Sequence, residues 1–83
     1  MSKRKVALTL DDYLADVRAE VVRAEALFPP FNSAHEGYAV LKEEVDELWD
    51  DVKKNRKWQA RGEAIHVAAM AVRFLRDIKE DKE

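Results

Sequence analysis

The residues best suited to chemistry lie in the run Glu43-Glu44-Val45-Asp46-Glu47-Leu48-Trp49-Asp50-Asp51. Glu44, Glu47 and Asp51 each precede an apolar residue of a three-and-four spaced stripe (Val45, Leu48, Val52), so on a helix they lie ~100° from that stripe and border the core. Carboxylates three apart share a helix face with Cβ atoms ~5 to 6 Å apart, an arrangement that repels itself unless a cation intervenes. Hard divalent cations such as magnesium take such oxygen ligands. A second pair follows at Glu63-Ala64-Ile65-His66, a carboxylate and an imidazole three apart. If the two helices are antiparallel neighbours, four side chains (Glu44, Glu47, Glu63 and His66) can converge on one or two metal ions. Each element has a plainer reading. The acidic run also fits a solvated face balanced by Lys42, Lys53 and Lys54, His66 a core histidine satisfied by a carbonyl or carboxylate, and Glu63 a surface partner for Lys57 or Arg61.

Three helices have to position these groups. The first starts at Thr9, a good N-cap, with Asp11 and Asp12 where the helix dipole favours negative charge. Its seam is Leu10, Leu14, Val17, Val21, Ala24 and Phe28, and Pro29-Pro30 ends it near Phe28. The second is capped by Ser33, with Glu36 placed to reach back, and runs to about Lys54. Its seam is Tyr38, Leu41, Val45, Leu48 and Val52, widened by Trp49. Asn55 to Gln59 reads as the turn, and a third helix is expected from about Trp58 to Lys79. The middle of that helix, Ala64 to Val72, is apolar on nearly every side and must therefore be buried on nearly every side. Two helices of one short chain cannot cover it, so the expected fold is all-α, a three-helix chain forming an oligomeric antiparallel bundle. Alanines 60, 64, 68, 69 and 71 allow close helix approach. Residues 1–8 read as an N-terminal tail and 9–83 as a single domain.

Composition narrows the function classes. The 83 residues carry 15 basic and 17 acidic side chains, a formal charge of -2, so no global field draws the chain to nucleic acid or an anionic membrane. There is no cysteine, which excludes disulfides and thiolate metal sites. No stretch approaches the ~18 apolar residues of a membrane span and no apolar segment follows the basic start, so a cytoplasmic location is expected. A glycine-rich phosphate loop, zinc-finger spacing and a basic stripe are all lacking. Lys54, Lys57, Arg61 and Arg73 are candidates to meet a polyphosphate or ordinary surface charges. Phe28, Phe31, Asn32 and His35 form an aromatic and polar loop able to stack on and read a base; the plainer reading makes the phenylalanines core lids and Asn32 a turn residue.

Glu44-x-x-Glu47, fifteen residues, then Glu63-x-x-His66 resembles the ExxE…ExxD signature of the MazG-like all-α nucleoside triphosphate pyrophosphatases. Glu43 reproduces the EExxE form of that family, and the runs His35 to Tyr38 and Ala68 to Phe74 resemble small members. The likeness covers Ser33 to Asp77. It implies magnesium-dependent hydrolysis of a nucleoside triphosphate between the α and β phosphates, with Glu44, Glu47 and Glu63 as metal ligands and Glu43 assisting a ligand or the water. One position departs: where the signature has aspartate this chain has His66, whose neutral nitrogen suits magnesium poorly and manganese or zinc better. Either three carboxylates suffice and His66 stands behind them, or metal binding is altered or lost. In the second case the chain is a non-catalytic helical interaction module on the same scaffold.

Overall fold

A computed structural model describes residues 7–79. Most of the tail expected at 1–8, and the last residues of the expected domain, lie outside the described residues. The described chain consists of α1 (Leu10–Leu27), α2 (Ala34–Lys53) and α3 (Lys57–Asp77), without a strand among the described residues. None of the helices is long and apolar enough to cross a membrane.

Local sequence accounts for both ends of α1 and the start of α2. The Thr9 hydroxyl accepts from the Asp12 amide, and the Asp12 carboxylate accepts from the Thr9 amide at 2.8 Å, so two donors are satisfied reciprocally at the start of α1. That helix stops at Leu27, immediately before the residue that Pro29 and Pro30 force out of helical geometry. Ser33 Oγ accepts from the Glu36 amide at 3.0 Å, while the Glu36 carboxylate reaches one residue further back than a capping box requires, to the amide of Asn32.

The α2–α3 turn is shorter than its sequence suggests. Asn55 adopts a left-handed conformation with φ 59. Its amide donates to Val52 O at 3.1 Å, and the Arg56 amide donates to Asp51 O at 2.9 Å. These are the paired bonds of a Schellman ending, with asparagine in the place glycine usually takes. The chain therefore reverses over three residues and α3 begins at Lys57.

The central element is α3. Both other helices pack on it, and α1 and α2 do not pack on each other. Along α2, the partners on α3 run in the opposite sense, from Gly37 against Phe74 to Glu44 beside His66. Along α1 they run in the same sense: Tyr13 meets Arg61, Glu20 meets His66 and Glu25 meets Arg76. The buried core is small, comprising Val21, Ala24, Phe31, Ala69 and Met70. Leu10, Leu14, Phe28, Tyr38, Val45 and Val52, all read as seam residues, are exposed. Because α1 and α2 pack on α3 without meeting each other, an open cleft remains between them, floored by α3.

Candidate metal centre

Three stripes of side chains face this cleft of about 510 Å³. From α3 come Glu63, His66, Met70 and Arg73, spaced three, four and three apart. The α2 wall presents Glu36, Val40, Glu43, Glu44 and Glu47, and the α1 wall presents Glu20, Arg23 and Ala24. Helical periodicity alone makes each set a stripe. Glu20, Glu44, Glu63 and His66 gather at one end.

At that end, Glu44, Glu63 and His66 each offer one ligand atom, all lying within 4.8 Å of one another. His66 Nδ1 lies 3.1 Å from Glu63 Oε1 and 3.6 Å from Glu44 Oε1, while Nε2 lies 3.8 Å from Glu20 Oε2. The imidazole thus stands among carboxylates from all three helices. Glu44 Oε1 is buried without a hydrogen-bond partner, an arrangement that is unfavourable until a proton or a cation reaches it. Burial, followed by the charges of Glu47 and Glu63, raises the Glu44 carboxyl above the usual glutamate range. The Glu47 carboxyl is raised as well, by partial desolvation and then by Glu63 and Glu43. Crowded carboxylates that resist ionisation, one with an unsatisfied oxygen, form a donor set that fits a hard divalent cation. The imidazole nitrogen is the one member that favours manganese over magnesium.

The remaining candidates separate. Glu43 lies on the cleft wall and Arg73 at the cleft's far end, where its guanidinium stacks 4.5 Å from the Phe31 ring centre. Lys54 and Lys57 are exposed at the α2–α3 turn and do not line the cleft. Arg61 lies over the rings of Tyr13 and Trp58, beside a different hollow lined by Leu8, Val17 and Ile65. Asn32 is exposed and is tied to Glu36 through its backbone. Of the aromatic loop, Phe31 is buried and Phe28 is exposed at the cleft edge.

Two residues of α1 were not expected at this centre. Glu20 accepts a two-pronged pair from Arg23, at 2.9 and 2.6 Å, and this bond lowers the Glu20 carboxyl while the Arg23 guanidinium is raised. A signal was available, since Glu20 precedes the seam residue Val21 by one, the offset that marks Glu44 and Glu47. No family model, curated protein or solved structure matches the chain.

Proposed function

We propose that this chain is a metal-dependent nucleotide pyrophosphohydrolase, acting as a homodimer or homotetramer. The observation that carries this reading is the convergence of Glu44, Glu63 and His66 within 4.8 Å, beside Glu43 and Glu47, on a cleft large enough for a nucleotide. The spacing likeness to MazG-like pyrophosphatases supports it independently of the geometry. Glu44, Glu47 and Glu63 hold the cation, and His66 flanks them. When bound, a divalent cation neutralises phosphate charge and makes water a better nucleophile at neutral pH.

The chain's own groups do the rest. Glu43, exposed on the same wall, accepts the proton of the attacking water. Arg23, fixed by Glu20 at the edge of the cleft, meets the negative charge of the polyphosphate. Water is consumed, the α–β phosphoanhydride breaks, and a nucleoside monophosphate and pyrophosphate leave. No covalent intermediate is required.

The test is a panel of ribo- and deoxynucleoside triphosphates assayed for pyrophosphate release with magnesium and, separately, with manganese. Release that requires the metal, with manganese at least as effective as magnesium, is expected. The second reading, a non-catalytic interaction module, draws on His66 at the fourth ligand position and on the exposed apolar side chains of α2. No release with either metal, from a chain that still associates with itself, would establish it instead.

A further inference from the structure

The two ends of the cleft differ in chemistry. The carboxylates and His66 occupy one end; the other is walled by Phe28, Pro29, Val40 and Met70 and closed by Arg73. Arg73 follows His66 by seven residues on α3, which places it on the same face about 10 Å further along the axis. That is about the reach of a nucleoside from its 5′ phosphate to the far edge of its base.

Arg73 is unusual in its own right. The residue is 3% exposed and, among the described residues, its guanidinium forms no ion pair. Nη2 donates to Pro29 O at 3.0 Å, Nη1 makes only a weak contact with Met70 Sδ at 3.6 Å, and Nε is buried without a partner. A buried guanidinium has five N–H donors, and most of these are unspent. The helix contact between Gly37 and Phe74 sets Glu36 of α2 at the same level. One Glu36 oxygen accepts from the Asn32 amide, which leaves the other oxygen as an acceptor.

Resting on the nucleotide reading of the cleft, we propose that this end is a base subsite selecting nucleobases that present a carbonyl next to a ring N–H: guanine, hypoxanthine, uracil and thymine. Arg73 donates to the carbonyl and Glu36 accepts from the neighbouring N–H. Adenine and cytosine present an amino group beside a bare ring nitrogen, so each would set donor against donor and acceptor against acceptor. Phe28, exposed at the edge, offers a stacking face. A triphosphate is the wrong occupant here, because it would shed its hydration against Phe28, Val40 and Met70 while standing two turns from the carboxylates.

Calorimetric titration of the intact chain with nucleoside monophosphates tests this, using inorganic pyrophosphate as the base-free control. Guanosine, inosine and uridine monophosphates should bind at least about tenfold tighter than adenosine and cytidine monophosphates. Arg73→Lys keeps the charge but loses the planar fork and should level this ranking without weakening pyrophosphate. Glu36→Gln, at an exposed position that leaves the core intact, should level it too. Equal affinity for all bases in the parent overturns the proposal, as does an Arg73→Lys variant that loses pyrophosphate and every nucleotide alike. Neither result needs catalysis. A chain that ranks bases and cleaves none keeps the subsite and loses the hydrolase reading; one that binds and cleaves all nucleotides equally does the reverse.

Discussion

A carboxylate oxygen buried without a partner, as Glu44 Oε1 is, loses its hydration and gains nothing in return unless something positive arrives. Its response to pH follows. The Glu44 and Glu47 carboxyls are raised in the folded chain, the first chiefly by burial. Groups that hold protons to higher pH when folded than when unfolded make stability fall as pH rises between the two values. Without metal, the melting temperature should therefore decline as pH climbs from the ordinary glutamate value, about 4.3, through the mildly acidic range. Glu20, lowered by its bond to Arg23, acts in the opposite sense at lower pH. Manganese should reverse the decline, because ionised carboxylates bind it; a metal-free melting temperature that rises over that interval would contradict this. Glu44→Gln, Glu47→Gln and Glu63→Gln should each leave the metal-free fold equally or up to about 0.5 kcal/mol more stable. Each should also lose most of the metal-induced rise in melting temperature, and the triple variant should lose little more than any single one. His66→Asp should strengthen magnesium-supported activity relative to manganese; unchanged metal preference with lower stability would make His66 a structural residue.

The helices separate what the sequence displays from what it conceals. Gly37 and Gly62 both lie inside helices, where alanine is intrinsically better by up to about 1 kcal/mol. A Cβ on Gly62 meets nothing within 4 Å, whereas one on Gly37 would stand 2.7 Å from Phe74 Cδ2 and 3.1 Å from Phe31 Cδ2. Gly62→Ala should thus stabilise by about 0.5 kcal/mol, and Gly37→Ala should destabilise by about 1 to 2 kcal/mol, as read by urea denaturation. Equal effects would mean that α2 and α3 do not approach closely at Gly37. The three helices were legible from their apolar spacing, and the bounds of α1 and the start of α2 because Thr9, Ser33 and the Pro29-Pro30 pair act through local backbone chemistry; α3 starts at Lys57 without a side-chain cap. The end of α2 was less legible. Asn55 can take the left-handed turn that glycine usually supplies, but nothing in its neighbours announces that it does.

At the scale of the molecule, spacing placed Glu44 with Glu47 on one face of α2 and Glu63 with His66 on one face of α3; of the four residues expected to converge, Glu44, Glu63 and His66 bring ligand atoms within 4.8 Å, and Glu47 stands outside that group. Arg23 and the cleft itself were not legible, and Glu20 only through its place one residue before Val21, since all three depend on α1 and α2 packing on α3 without meeting each other, a matter of long-range packing. Tyr38, Val45, Trp49 and Val52 are exposed on the face of α2 turned away from the cleft, and Trp58 is 79% exposed at the start of α3. An apolar stripe of this kind favours self-association. Sedimentation at micromolar concentration should give a dimer or tetramer, and Val45→Lys with Val52→Lys should shift it toward monomer without unfolding α1. A compact monomeric parent would remove the argument for assembly. The claim on which the rest depends is that the carboxylate cleft directs metal-assisted cleavage of the α–β bond. Phosphorus magnetic resonance of a nucleoside triphosphate incubated with the chain and manganese reads the products directly. The account predicts monophosphate and pyrophosphate in equal amounts, neither of them forming with Glu44→Gln or when the metal is chelated. Diphosphate and orthophosphate, an unchanged triphosphate, or full activity in Glu44→Gln would contradict it.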